Sequence, residues 1–182
     1  MSGSWINFIR QQGFEAVDAR PCESLYTALM FQPRVVGILV VVGVLFQASP
    51  LFLNLSAVLL WSALAPTLNP FDRMYDALVG ARNAIPGLTP APRRFAQALA
   101  ATFMLIIGLS LRQGLDMLAW VLEAFVLIAI GLVVAGRFCV GSFVFHFLSG
   151  NGEFARRTLP WGPGIEGGEI RTLRKRRWAT SK

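Results

Sequence analysis

Three side chains in this sequence stand where their chemistry would be unusual: Glu123, Cys139 and His146. Glu123 lies inside a long apolar run. A charge near mid-bilayer costs about 3 kcal/mol on insertion scales, so such a carboxylate faces protein or water. Its functional readings are a proton-handling group, an ion ligand or a substrate contact. Its structural reading is a protonated or hydrogen-bonded Glu meeting Asn54, Ser56, Gln97 or Arg112, and no second carboxylate or Lys within the apolar runs completes a relay. Cys139 sits in Phe138-Cys139-Val140-Gly141-Ser142. A reactive thiol needs a helix N-terminus or a nearby cation. Arg137, two residues away, is such a cation, while the plain alternative is a small buried apolar residue. His146 is the only histidine. One imidazole can ligate a haem or a chlorophyll-type magnesium, but without a second histidine it reads as a polar tip at a membrane interface. No metal site is expected and no catalytic residue is assigned. The chain has no Gly-rich phosphate loop, no Ser/His/Asp set with a shared location and no metal-ligand spacing.

The elements that must position these residues follow from composition. Of 182 residues, 54% are hydrophobic and 15% charged, against about a quarter charged in soluble domains. Mean hydropathy is +0.55, and 17 Lys and Arg against 10 Asp and Glu give a net charge of +7. That balance indicates an all-α integral membrane protein with its charges in loops and tails. Two cysteines, Cys22 and Cys139, exclude a disulfide-stapled secreted domain.

Four apolar runs are read as transmembrane helices in two hairpins, at about 35–48, 51–68, 95–111 and 115–135. The first is short for a span of about 20 residues, so its helix begins before Pro33 or meets a thin bilayer. Residues 1–32 form an N-terminal arm with short amphipathic helices. In it Trp5, Ile6, Phe8 and Ile9 suit a helix lying on the membrane surface, and a second short helix, 22–31, leads up to Pro33. The arm has no uninterrupted apolar segment of the signal-peptide kind. Two further interfacial stretches are expected. In 70–80, Phe71, Met74, Tyr75, Leu78 and Val79 recur at helical spacing opposite Asp72, Arg73 and Asp76; the other is the aromatic stretch 137–148. The membrane domain thus covers 33–149, and 150–182 is a basic tail. If both termini are cytoplasmic, only Arg112 of the 17 basic residues falls outside, which sets the orientation. A faint repeat pairs Pro33-Arg34 and Pro92-Arg93-Arg94, each opening a hairpin.

Arg171, Arg174, Lys175, Arg176 and Arg177 in the tail suit anionic lipid head groups, at about 1 kcal/mol each near the surface, or docking to an acidic partner. Nucleic acid is not an expected partner. Ala96, Ala100 and Gly108 on the third run, with Gly37 and Gly43 on the first, permit close helix approach within the bundle or against another subunit. Trp61, Trp120, Phe143, Phe145 and Phe147 suit an interfacial belt or contact with a lipid, quinone or pigment; no cofactor is otherwise expected.

The segments Pro33-Arg34-Val35, Asn69-Pro70-Phe71-Asp72-Arg73-Met74-Tyr75, Pro92-Arg93-Arg94-Phe95-Ala96-Gln97 and Phe138-Cys139-Val140-Gly141 occur in this order among the four runs. Over about residues 33–148 the chain resembles the small bacterial membrane proteins of domain of unknown function 4395. That family shows a Phe-Cys-x-Gly-Cys motif near its end, with links to thioredoxin-like or sulfur-transfer modules, and so the resemblance implies redox or sulfur handling at the membrane. Cys139 matches the first cysteine, but Ser142 stands at the second, so a dithiol–disulfide cycle within this motif is excluded.

Taken together, the residues lead to one main expectation: a non-catalytic accessory or scaffold subunit of a larger assembly in the bacterial inner membrane. It would pack through its helices against other membrane subunits and dock through its arm and tail. The alternatives are a thiol- or sulfur-linked membrane protein using Cys139, or a small proton-coupled carrier centred on Glu123.

Overall fold

A computed structural model describes residues 3–14, 19–80, 85 and 89–159, with the backbone alone at 3, 4 and 19–22. The basic cluster from Arg171 to Arg177 lies outside the described residues. Among those residues the chain is helical, with no strand. The helices are α1 (Gly3–Gln11), α2 (Ala19–Phe46), α3 (Ser49–Leu64), α4 (Pro70–Val79), α5 (Ala91–Arg112), α6 (Asp116–Val134), α7 (Val140–Leu148) and α8 (Gly152–Arg157), with a 3₁₀ turn at Pro66–Leu68. Three are long and apolar enough to cross a membrane: the Glu23–Phe46 part of α2, α5 and α6. At 16 residues, α3 is about 24 Å long, short of a hydrocarbon core of about 30 Å.

The helix of the first run begins before Pro33, one of the two readings its short length allowed, and the separate helix expected at 22–31 is part of it. α2 runs unbroken through Pro33 for 28 residues. An internal proline costs about 3 kcal/mol, and here tertiary packing on both sides of it outweighs that cost. Leu25, Leu29 and Met30 are buried against α1 on one side, and Val36 and Val40 in the main core on the other. The arm also departs from expectation. Rather than laying its apolar residues on a membrane surface, α1 buries Phe8 and Ile9 completely in a second core with Phe14, Leu25, Leu29 and Met30.

α3 and α5 make the most extensive contact in the molecule, and its register is explicit. Ser49 Oγ donates to Gly108 O at 2.7 Å, Ser56 Oγ to Ala101 O at 2.8 Å, and Arg94 Nε to Ala63 O at 2.8 Å. The bonds recur every seven residues on both helices, with the chains antiparallel, as expected where a 3.5-residue seam keeps one face toward a partner. Gly108 permits the approach, since a Cβ there would lie 2.8 Å from the Leu53 side chain. The core between them holds Phe52, Leu55, Leu59, Met104 and Ile107, with Val36, Val40 and Val126 from α2 and α6.

α7 lies across the start of α5. Its Gly141 sits so close that an added Cβ would come 2.8 Å from Ala96 Cα. Two of the five apolar residues on the face of α4 are used internally: Phe71 and Tyr75 are buried, Tyr75 against Phe31 at 5.4 Å between ring centroids, while Met74, Leu78 and Val79 remain exposed.

Replacing Gly141 by Ala therefore pushes against backbone and should destabilise by about 1–3 kcal/mol. Gly131→Ala, where nothing lies within 4 Å of the new Cβ, should be neutral or stabilising by up to about 1 kcal/mol. Denaturation midpoints of the two variants in one detergent compare them directly.

Candidate functional site

The most polar part of the interior is a chain of hydrogen bonds through four helices. Arg93 at the start of α5 grips Asp72 of α4 with two nitrogens, Nη2 to Oδ1 at 2.7 Å and Nη1 to Oδ2 at 3.2 Å. Asn69 caps α4, accepting from Phe71 N at 3.1 Å and from Ser62 Oγ of α3 at 3.2 Å, and its Nδ2 donates to Asp72 Oδ2 at 3.1 Å. On the other side Arg93 Nη2 donates to Gln32 Oε1 of α2 at 3.2 Å, and Gln97 Nε2 donates to the same oxygen at 2.9 Å. A guanidinium only donates, so Gln32 presents its oxygen. Gln97 must then present its amide nitrogen, which leaves Gln97 Oε1, buried and without a protein hydrogen-bond partner.

Beside this network lies a cavity of about 200 Å³. Its walls are apolar: Val36 of α2, Phe103 and Met104 of α5, and Val126, Ala129 and Ile130 of α6. Gln12, Gln32, Arg93, Gln97 and Cys139 also line it. Phe125, stacked on Phe103 at 5.9 Å, also lines it and is 58% exposed.

Glu123 is at the far end of the bundle, with none of its four expected partners. Its carboxylate accepts from Gln47 Nε2 at 3.1 and 3.4 Å, and Trp120 Nε1 donates to Gln47 Oε1 at 3.2 Å. Asn54 and Ser56 instead bond to Pro50 O and Ala101 O, and Gln97 belongs to the opposite network. Gln47 holds a positive φ of 47° in the α2–α3 turn, a conformation uncommon outside glycine. Its side-chain bonds to Glu123, Trp120 and Val44 O fix that turn.

Cys139 precedes α7 at the opposite end of α6 from Glu123, and the fold does not bring the two together. Cys139 is half-buried, and its backbone N–H donates to Gln11 Oε1 at 2.9 Å. His146 Nε2 lies 2.9 Å from Gln11 O. A carbonyl only accepts, so Nε2 carries the hydrogen and that nitrogen is engaged. Burial lowers the His146 pKa, and the bond to Gln11 opposes the shift in part. Gln11 thus ties the arm to α7 twice, and Gly13, at φ 90°, lets the chain pass Pro90 and Pro92. Among the described residues no three His, Cys, Asp or Glu side chains gather to hold a metal.

The Asn69–Tyr75 and Pro92–Gln97 segments, far apart in sequence, therefore meet in one buried network. A family model described as Domain of unknown function (DUF4395) matches residues 27–149. The chain belongs to the DUF4395 family. No curated protein and no solved structure matches it. In this DUF4395 chain the matched segment contains the whole Arg93 network, Glu123, Cys139 and His146, while α1 and α8 lie outside it.

The grouping of Gln32, Asp72, Arg93 and Gln97 escapes a reading of the sequence, which places Asp72 on the polar face of an interfacial helix and Gln97 in the third apolar run as a candidate partner of Glu123. The available signal was polar: Gln32 and Gln97 each flank an apolar run beside a Pro-Arg pair.

Removing one partner of a buried ion pair costs about 3–5 kcal/mol. Since Asp72 keeps 20% exposure, Asp72→Asn should fall near the lower bound, about 3 kcal/mol, in detergent unfolding. For His146 the folded pKa lies below the unfolded value of about 6.5, so the unfolded chain takes up the proton first. Its contribution is complete above about pH 6.5 and is lost as pH falls through the lowered folded pKa. The melting midpoint should therefore drop between pH 7 and pH 5, with a shallower drop in His146→Gln.

Proposed function

We propose that this protein is a non-catalytic accessory subunit of a larger complex in the bacterial inner membrane. One observation carries the reading: apart from the Cys139 thiol, the side chains best placed to do chemistry hold parts of the fold together. Glu123 is held by Gln47, His146 by Gln11 and Arg93 by Asp72, and they are distributed over both ends of the bundle. The outward face of α6 supports it further. Met117, Trp120, Val121, Phe125 and Ile128 are all more than half exposed, an apolar surface suited to lipid or a neighbouring helix.

The topology proposed with it has four spans and both termini cytoplasmic. α3 is short, but its bonds run beside α5 from Arg94 to Gly108, so it rises through the same depth as a helix long enough to cross. In the proposed topology Arg112 is outside and the other basic residues are inside, as the positive-inside rule favours. The tail from Arg171 to Arg177 then faces anionic lipid or an acidic partner on the cytoplasmic side. A second reading, thiol or sulfur chemistry at Cys139, is favoured by that residue's place on the cavity wall.

Mild-detergent extraction from native membranes, with co-purifying proteins identified by mass spectrometry and an absorbance spectrum recorded, tests the subunit reading. Stoichiometric partner subunits are the expected result. Isolation as a lone, colourless protein would overturn it.

A further inference from the structure

The buried network takes Arg93 and leaves its neighbour in sequence, Arg94, outside. We propose that Arg94 and the outer seam between α3 and α5 bind one anionic glycerophospholipid, its phosphate on the guanidinium and an acyl chain along the seam. This inference needs only that α5 crosses the membrane, in either orientation, and stands whether or not the protein is a subunit of a complex.

Charge, depth and shape each narrow the occupant. Arg94 Nε donates to Ala63 O at 2.8 Å, which fixes the guanidinium beside the end of α3. Among the described residues its two terminal nitrogens have no hydrogen-bond or ion-pair partner, whereas the charge of Arg93 is matched by Asp72 at 2.7 Å. Such a planar, donor-only fork suits phosphate oxygens. Arg94 stands near the start of α5 and Arg112 at its end, about 27 Å apart along the axis. The hydrocarbon core is about 30 Å thick, so Arg94 lies at one edge of it, and its long side chain reaches the layer of lipid phosphates. There it lines an open, shallow notch of about 290 Å³ with Ala63, Leu64, Ala91, Phe95 and Ala98. None of these is acidic, so the ammonium of a zwitterionic head finds no counter-charge. By helical spacing the same outer face continues through Leu60 on α3 and Leu105 and Leu109 on α5. With Leu64 these side chains are 42–70% exposed, an apolar track for an acyl chain that a free phosphate would leave uncovered. Basic pockets between membrane helices hold anionic head groups in this way.

The test titrates the full-length protein in mild detergent with dioleoylphosphatidylglycerol or dioleoylphosphatidylcholine and follows the first bound lipid by native mass spectrometry. The wild type should bind phosphatidylglycerol about tenfold more tightly, as for one hydrogen bond between charged groups. Arg94→Gln removes the charge, and Ala98→Leu fills the notch while leaving the bond from Arg94 to Ala63 in place. Each should weaken phosphatidylglycerol binding about tenfold, since the basic tail contributes equally to all three proteins. Glycerol phosphate at the same concentration should not compete. Equal binding of the two lipids by the wild type, unchanged phosphatidylglycerol binding in either variant, or competition by glycerol phosphate would overturn the proposal. Ala98→Leu decides the outcome even if Arg94→Gln does not fold.

Discussion

The bidentate contact between Arg93 and Asp72 is the constraint on which the arrangement of this protein depends. Both charges are withdrawn from water, and a buried ion pair returns little net stability once desolvation is counted. What it imposes is position. Arg93 has a rigid, donor-only fork, so Asp72 must lie on one side of it and an oxygen from α2 on the other. Asp72 is in turn held by Asn69, the residue that caps α4 and receives Ser62 of α3. One guanidinium thereby sets the relation of α2, α3, α4 and α5 at one end of the bundle. A lysine would supply the charge without the fork.

Packing carries that arrangement along the molecule. The heptad-spaced bonds of α3 on α5 keep one face in contact from Arg94 to Gly108, and small residues at the crossings let the backbones approach. In lipid, where apolar burial drives little association, close packing and interhelical hydrogen bonds bear more of the load. The far end is closed by Gln47, whose strained backbone is tied to Glu123 and Trp120. Such strain persists where surroundings over-determine it. The two polar ends are thus alike in kind. Each takes a side chain that would be costly inside a membrane and satisfies it with polar side chains from other parts of the chain, Asp72 and Gln32 for Arg93 and Gln47 for Glu123.

Much of this was legible in the sequence. The apolar runs marked α3, α5 and α6 to within a few residues, because hydropathy and helical period are local properties. The helical spacing of Phe71, Met74, Tyr75, Leu78 and Val79 marked α4, since that period too is local. Pro33 left two readings open for the same reason: its local penalty is real, and only packing on both sides of it decides that one helix runs through. Trp5, Ile6, Phe8 and Ile9 have the spacing of a surface helix, and nothing local distinguishes a lipid surface from a protein groove as the partner of such a face.

By itself, then, the sequence determined the helical class, the membrane-compatible apolar runs, the amphipathic stretch of α4 and the presence of Glu123, Cys139 and His146. Tertiary structure alone decided what those groups meet: Gln47 for Glu123, Gln11 for His146, and the cavity wall for Cys139. It alone set Gln32, Asp72, Arg93 and Gln97 in one line and left one oxygen of Gln97 unpaired. The physical reason is range. Helix formation and apolar burial are written in neighbouring residues, whereas a hydrogen-bond partner for a buried polar group comes from wherever the folded chain returns, here as many as 135 residues away.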